Sequence, residues 1–314
     1  MGRTAMGVFE RTVESGIKDY LPERFQDAEI KISRVNKPNA IKTGLMVKLQ
    51  DVNYAPTIYL DDYYDQFISG RDMDDILTDI GELIDEAYEN APIQQSFNIT
   101  DYRENIFKAL INVGANKEML NDCPHRTVHD LAVVYRVEVG DYASALVSNK
   151  MMQLLGYRDA AELEAAADVY MKNNFLPEAK TMEEVLIELL GDNIDDETYS
   201  TIHEIDGPTM IVITNDKKLD GAASILNKEF MDGLCAEYGE LLLLPSSRHE
   251  FIALPKGQIP ESDAKELVRE VNRNEVPKED KLSDNIYTYS RERGLELVKN
   301  DSEKTKSIDR DHER

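Results

Sequence analysis

The sequence predicts an α+β protein, and three patterns support that prediction. Apolar and polar residues alternate at 28–35 and again at 44–50, which predicts a β-hairpin. A helical stripe of apolar residues follows at 69–90, and two apolar runs around "PSSR" predict a second hairpin at 240–254. We therefore expect a small N-terminal β-hairpin and helix unit, followed by a larger C-terminal mixed sheet flanked by helices.

Two folded units and a charged tail are expected in a chain of 314 residues. Domains commonly contain about 100–200 residues. We place the hairpin and helix unit at 1–95 and the larger α+β domain at 96–295. Residues 296–314 are mostly charged, and their composition predicts disorder.

The N-terminal unit is expected to begin with a helix over residues 8–20, ended by Pro22. Residues 54–60 predict a third strand at the sheet edge, because Pro56 cannot donate a ladder hydrogen bond. Acidic residues occupy the first turn of the 69–90 helix, where the helix dipole favours negative charge.

Strands and helices alternate in the larger unit. Thr181 and Glu184 predict a capping box, and Ser262 is the expected cap of a helix over 261–273. The remaining expected elements are helices at 101–113, 141–156, 160–174 and 220–239, and strands at 130–139 and 209–215. The segment "ASALVSNKMM", which begins at residue 143, resembles "ASILNKEFM", which begins at residue 223. Either a duplicated strand–loop–helix unit or chance would explain this similarity.

The charge of the chain restricts its partners. There are 61 acidic and 36 basic residues, giving a net charge of −25. Such a field disfavours direct binding to nucleic acids and anionic membranes, which requires Lys and Arg patches. It permits two roles, a solubilising surface or a mimic of nucleic acid.

The sequence favours a cytoplasmic protein without a cofactor. Its two cysteines suit a reducing compartment, and the N-terminal residues lack the apolar core of a secretory signal. No apolar run approaches the roughly 20 residues of a spanning helix. Phosphate-binding glycine motifs are absent from the sequence, which disfavours nucleotide hydrolysis.

One candidate catalytic cluster is "SSRHE" between the two apolar runs. Ser246 or Ser247 would be a nucleophile, His249 its base, and Glu250 an accompanying acid. The alternative is a hairpin turn with a hydrogen-bonded histidine, because the strained G-x-S-x-G turn is missing. If His249 begins a strand, Phe251 shares its face and Glu250 lies on the other.

A candidate metal site lies in "CPHRTVHD". Cys123, His125 and His129 supply a thiol and two imidazoles, and the histidine spacing matches helical ligand spacing. The strand expected immediately afterwards would spread the two histidines apart. No second cysteine pair completes a structural zinc site.

Several longer strings resemble one uncharacterised bacterial family. They are "APTIYLDDYYDQF", "VVYRVEV", "ASALVSNKMMQLLGY", "GAASILNKEF", "LLLLPSSRHEFIALP" and "LSDNIYTYSRE". These strings resemble a domain-of-unknown-function family found mainly in gut Firmicutes, and the resemblance covers about residues 5–295. It implies a cytoplasmic bacterial protein with an α+β fold, and it supplies no catalytic residues.

Three functions remain open at the level of sequence. We expect a non-enzymatic protein-interaction module that binds a protein partner, such as a basic one, or associates with itself. The first alternative is a hydrolase-like enzyme that uses the Ser-Ser-Arg-His-Glu turn. The second is an acidic nucleic-acid mimic from a mobile element.

Overall fold

The fold is α+β and divides into two compact units, Met1–Asp101 and Tyr102–Arg314. A computed structural model describes residues 2–50, 52, 55–90, 98–139, 143–191 and 207–299. Within these ranges, no helix combines the length and apolar character needed to cross a bilayer. The two units are described separately below.

The described helices and strands have the following bounds. The α-helices are α1 (Gly2–Gly16), α2 (Asp61–Ile68), α3 (Met73–Glu89), α4 (Lys117–Leu120), α5 (Asn149–Leu154), α6 (Ala160–Asn174), α7 (Met182–Leu190), α8 (Lys228–Tyr238) and α9 (Glu261–Asn274). Short 3-10 helices occur at Ile17–Tyr20, Glu23–Phe25, Ile99–Tyr102, Gly221–Leu226 and Lys278–Asp280. The strands are β1 (Glu29–Lys37), β2 (Ala40–Lys48), β3 (Thr57–Tyr59), β4 (Ile106–Asn112), β5 (His125–Val128), β6 (Leu131–Val139), β7 (Ala143–Leu146), β8 (Pro177–Thr181), β9 (Ile211–Asn215), β10 (Leu241–Ser247), β11 (Glu250–Pro255), β12 (Tyr287–Ser290) and β13 (Gly294–Leu297).

The first unit packs helices on a three-stranded antiparallel sheet of order β1-β2-β3. Asn39 occupies the β1–β2 turn with a φ of 57°, a left-handed conformation that Asn tolerates. The apolar stripe of α3 is buried with Phe9 and Val13 of α1 in one core. Asp72 caps α3 by accepting a hydrogen bond from the Asp74 N–H at 2.8 Å.

The second unit contains two sheets. One has the order β13-β12-β10-β11-β9-β8, and the other the order β4-β6-β5 with β7 paired to β6. Every strand pairing in the described part of this unit is antiparallel. The described part of this unit therefore has two antiparallel sheets where the sequence predicted one mixed sheet.

The apolar run 241–244 is explained by a strand that is covered on both faces. Leu241 and Leu243 belong to a core that also contains Val133 of the other sheet. Leu242 and Leu244 belong to a second core, on the opposite face, that includes Ala264 and Val268 of α9. Burial on both faces removes the alternation of polar residues, and each buried leucine contributes about 1.5–3 kcal/mol.

Several predicted elements are confirmed. The first hairpin forms as β1 and β2, and β3 lies at the edge of the sheet. The capping box is present, with the Glu184 N–H donating to Thr181 Oγ1 at 3.2 Å and the Thr181 N–H donating to Glu184 Oε2 at 2.7 Å. The strands predicted at 130–139 and 209–215 form as β6 and β9.

Other predicted elements are wrong. Residues 101–113 contain β4 rather than a helix, because Ile106–Ile111 are buried on both faces and their pattern carries no strand period. The helix predicted at 141–156 is β7 followed by α5, and that at 220–239 is a 3-10 helix followed by α8. Pro260, and not Ser262, is the N-cap residue of α9.

The two similar segments adopt different structures. Ala143–Leu146 is a strand, whereas its counterpart in Gly221–Leu226 is a 3-10 helix. The predicted tail begins within β13, which ends at Leu297, and residues 300–314 lie outside the described residues. Sequence similarity therefore did not determine local structure in this pair, because only the first segment pairs with β6 as a strand.

Candidate functional site

The predicted catalytic cluster lies at the β10–β11 hairpin of the second unit. Strand β10 continues through Ser246 and Ser247, and β11 begins at Glu250. The turn is therefore Arg248 and His249, rather than the Pro-Ser-Ser-Arg segment that the sequence predicted. The register with β11 shifts between Pro245 and Ser247, just before the turn.

The serines of this hairpin are bonded away from the imidazole. Ser246 Oγ donates to Glu250 Oε1 at 2.9 Å, and Ser247 Oγ accepts from the backbone N–H of His249 at 3.0 Å. The His249 ring instead accepts at Nδ1 from the Asp220 N–H at 3.2 Å. In the described residues no serine hydroxyl bonds this ring, so a nucleophile and base pair is not assembled.

The other ring nitrogen of His249 faces Asp280. Its Nε2 lies 3.6 Å from Asp280 Oδ1. The Arg248 Nε–H lies 3.1 Å from His249 Nε2 and 3.2 Å from Asp280 Oδ1. The Arg248 Nε–H donates to His249 Nε2, and its contact with Asp280 Oδ1 is an ion pair. A neutral imidazole accepts at one nitrogen only, so this bond and the Asp220 bond at Nδ1 belong to different tautomers of the ring.

Backbone hydrogen bonds hold the turn on both sides. The Arg248 N–H donates to Asp280 O at 2.9 Å, and Arg248 O accepts from the Ala222 N–H at 3.2 Å. His249 O accepts from Thr214 Oγ1 at 2.8 Å. These contacts join the hairpin to β9 and to the segment after Asp220, which favours a structural role for the turn.

A buried ion cluster behind the turn was not predicted from the sequence. Asp220 is 1% exposed, and neither of its carboxylate oxygens has a hydrogen-bond partner. Its Oδ2 lies 3.4 Å from Arg136 Nε, and its Oδ1 lies 3.5 Å from Arg248 Nη1. Burial lowers the pKa of Arg136, and the attraction of Asp220 opposes that shift.

The sequence held one usable signal for this cluster. Arg136 is the single charged residue in the apolar run "LAVVYRV" of β6. A cation inside a buried strand requires a counter-ion, so its presence indicates an acidic partner elsewhere in the fold. The identity of that partner depends on tertiary contact and is not encoded locally.

A cavity of about 120 Å³ lies between His249 and α7. Its wall includes Glu250, Thr214 of β9, and Val185 and Glu188 of α7. Glu188 is paired with Lys180, another wall residue, at 2.5 Å. Ligand pockets usually enclose about 300 Å³ or more, so this cavity accommodates water-sized molecules rather than an organic substrate.

The predicted metal ligands are separated in the structure. Cys123 is buried, and burial raises the pKa of its thiol to about 11. His125 Nδ1 lies 3.0 Å from the Cys123 carbonyl, whereas His129 Nε2 contacts Leu295 O at 3.0 Å. Among the described residues, no group of three or more His, Cys, Asp or Glu side chains is placed to hold a metal ion.

Helix α7 presents an apolar surface that belongs to no buried core cluster among the described residues. None of its nine residues is buried, although its sequence "MEEVLIELL" is mostly apolar. Met182, Leu186, Leu189 and Leu190 follow helical spacing, and we call them the α7 stripe. Leu189 is 77% exposed and Leu190 is 47% exposed.

The fold and these sites define an α+β protein with a structural ion cluster and an uncovered apolar helix. A model of the family of unknown function DUF5688 matches residues 6–291. The chain therefore belongs to that family, which confirms the resemblance to an uncharacterised family. The chain matches no curated protein and no solved structure.

Proposed function

We propose that this protein is a non-enzymatic protein-interaction module that binds a partner through the α7 stripe. The observation that supports this is the exposure of Leu189 and Leu190 on a helix with no buried residue. Contiguous apolar surface is costly to leave in water and commonly marks an interaction site. The expected mode is helix-to-helix packing, with anchors spaced as in the stripe.

The favoured occupant is a basic amphipathic segment of another protein. Helix α7 carries Glu183, Glu184 and Glu188 and contains no lysine or arginine. The whole chain has a net charge of −25, so a second copy would meet like charge along the same contact. A partner with an apolar stripe and flanking lysines or arginines complements both features.

Strand addition at the neighbouring sheet edge is a weaker mode. Strand β8 pairs with β9 and is terminal in the strand order of the described residues. It has only five residues and contains Pro177, Glu178 and Lys180. Proline and charged residues protect an edge strand against pairing.

The other two functions are not favoured by a specific observation. The hydrolase alternative is not proposed, because the hydroxyls of Ser246 and Ser247 bond groups other than the His249 ring. The nucleic-acid mimic stays a prediction. We also propose a bacterial source and a cytoplasmic location, for which the family resemblance and the composition are the support.

Site-specific photocrosslinking tests the interaction. A benzophenone amino acid replaces Leu189, and a matched control replaces Leu267, which is 45% exposed on α9. Crosslinking is carried out in cells of the source organism, and the captured peptides are sequenced. We expect position 189 alone to capture one partner, through a peptide with helical apolar spacing and flanking basic residues.

Two outcomes would overturn the proposal. One is capture of the same peptides from positions 189 and 267, which would indicate nonspecific contact. The other is capture of a second copy of this chain at position 189. A Leu186→Glu variant provides the matching loss-of-binding control, since it alters the stripe on a residue that is not buried.

A further inference from the structure

The β1-β2-β3 sheet of the first unit has one face that points away from its core, and we call it the outer face. Leu45, Val47 and Ile58 belong to the core on the other face. Successive side chains of a strand point to opposite faces, so the residues between these three lie on the outer face. The register places outer-face residues of neighbouring strands directly opposite one another. In the described part of this face, only Gly44 is buried.

The outer face is positive in an otherwise acidic protein. Its charged residues are the lysines Lys31, Lys37, Lys42 and Lys48 and the one acid Glu29. The chain as a whole has 61 acidic and 36 basic residues, so this face reverses the overall balance. Lys31 and Lys48 are exposed, and neither forms an ion pair with any residue that the structure describes. The charge of the outer face is therefore available to an acidic partner.

Protection of a sheet edge explains only two of these lysines. Lysines on an edge strand hinder pairing with another chain, and Lys31 and Lys37 lie on β1, which is terminal in the strand order. Lys42 and Lys48 lie on β2, which pairs with a strand on each side. These two lysines have no edge to protect. What they share with the lysines of β1 is their position on the outer face.

The lysines form two pairs at opposite ends of the outer face. In the register of β1 and β2, Lys31 is diagonal to Lys48, and Lys37 is diagonal to Lys42. Diagonal neighbours on one face of a sheet have Cα atoms about 7–8 Å apart. The six residues from Lys31 to Lys37 extend over about 20 Å, at roughly 3.3 Å per residue. A complementary ligand therefore carries negative charge at two points about 20 Å apart.

The surface between the two lysine pairs is built from short, largely apolar side chains. A Cβ on Gly44 would lie 2.7 Å from Val35 Cγ2 and 2.7 Å from Thr57 Cγ2, so these two side chains close over the glycine. At one end, Lys37 Nζ lies 4.7 Å from the centroid of the Tyr59 ring, which holds the ammonium above the sheet. A level surface of this kind accommodates an extended segment that runs from one lysine pair to the other.

The dimensions and charge of the outer face favour a short acidic peptide over a nucleic acid. A nucleic acid strand carries one charge per nucleotide and continues past the face, where a chain of net charge −25 repels it. Binding of single strands also uses several aromatic rings as stacking platforms. In the described part of the outer face, Tyr59 is the one aromatic residue, and Lys37 lies over its ring.

We propose that the outer face binds an extended acidic segment of another protein. The segment carries acidic residues at both ends, which contact the two lysine pairs, and a small apolar residue between them, which packs on Val35 and Thr57. Exposed ion pairs are individually weak, so binding requires both lysine pairs at once. This proposal concerns the first unit and does not depend on binding at the α7 stripe.

Fluorescence anisotropy with a labelled peptide tests the proposal on the full chain. The probe has roughly nine residues, with a glutamate pair at each end and a valine at the centre, so that its extended length matches the outer face. A peptide with glutamine in place of glutamate is the matched control. We expect the acidic peptide to bind with a Kd of about 10–100 μM, to weaken as salt rises, and the glutamine peptide not to bind.

Three outcomes would overturn the proposal. The first is absence of acidic-peptide binding up to about 1 mM, or equal binding of the glutamine peptide. The second is tighter binding of an oligothymidine of the same length, which would assign the outer face to a nucleic acid. The third is self-association in light scattering that Lys48→Gln abolishes, which would assign the face to a second copy of the chain.

Lysine variants locate the binding. Lys31→Gln and Lys48→Gln change exposed side chains, so we expect normal folding by circular dichroism. Each should raise the Kd for the acidic peptide about threefold, and the double variant about tenfold. Arg11→Gln is the matched control, because it removes the same charge from an exposed position of α1 in the same unit, and its Kd should stay at the wild-type value. Equal effects of the lysine and arginine changes would refute the assignment, since they would indicate a response to net charge alone.

Discussion

The ion cluster around Asp220 allows a quantitative prediction about stability. Asp220→Asn keeps the shape of the side chain and removes its negative charge. Asparagine also tolerates the left-handed backbone at this position, where φ is 49°. Any destabilisation is therefore assigned to the loss of charge next to Arg136 and Arg248.

The expected magnitude follows from the contacts that remain. A unit-charge pair about 3.5 Å apart attracts with about 5 kcal/mol at an effective dielectric constant near 20, and desolvation offsets part of this. Removing one partner of a buried pair costs about 3–5 kcal/mol. Arg248 keeps Asp280 at 3.2 Å, whereas the remaining hydrogen bonds of Arg136 are to Ser144. Because the Arg136 guanidinium loses its counter-ion, we expect the free energy of unfolding of Asp220→Asn to fall by about 3 kcal/mol.

Urea unfolding followed by far-ultraviolet circular dichroism measures this loss, since the chain has no tryptophan for fluorescence. For a unit of about 200 residues the corresponding fall in Tm is about 6–12 °C. Glu266→Gln, at an exposed position of α9, is the control. Adding Arg136→Met to Asp220→Asn removes the unpaired cation, so the double variant should be more stable than Asp220→Asn alone by about 1 kcal/mol or more. An Asp220→Asn variant as stable as the control would refute the reasoning.

Two further predictions concern packing and cysteine chemistry. Gly221→Ala should destabilise the protein by about 3 kcal/mol in the same assay, because a Cβ there would lie 2.5 Å from His249 O and 2.9 Å from Asn215 N. Gly233→Ala, with open space around its Cβ, should be neutral or stabilise α8 by up to about 1 kcal/mol, and equal effects of the two changes would contradict this. Burial, with a smaller contribution from Asp122, raises the pKa of Cys123 to about 11. In a Cys235→Ser background, the reaction of Cys123 with Ellman's reagent should therefore be slow at about pH 8 and should accelerate as the pH rises. Immediate reaction of the native protein would show that the thiol is not protected in this way.

The elements that could be predicted from sequence have a clear local period. The stripe of α3 repeats over 17 residues, and the first hairpin alternates on both sides of its turn. The period is lost in β4, where an all-buried strand has the same apolar pattern as a buried helix. β7 was missed for a related reason, because its strand conformation depends on pairing with β6.

The candidate sites could be predicted only in part. The sequence placed the serines and His249 at the correct hairpin, but it did not predict their hydrogen bonds. The His249 ring contacts the backbone N–H of Asp220, which belongs to another segment. Lys108 resembles Arg136 in being a cation within a buried apolar strand, and both positions were visible in the sequence. Their partners, Asp168 on α6 and Asp220 before a 3-10 helix, are brought near by packing alone.

The sequence by itself determined the α+β class and the membership of an uncharacterised family, because hydrophobic period and residue identity are properties of the chain. Tertiary structure alone decided that the described residues leave the α7 stripe without a core contact, and that two lone cations of apolar strands, Lys108 and Arg136, meet carboxylates from other elements. Burial and ion pairing depend on which surface lies opposite a residue. That relationship arises only when distant segments pack together, so no local pattern contains it.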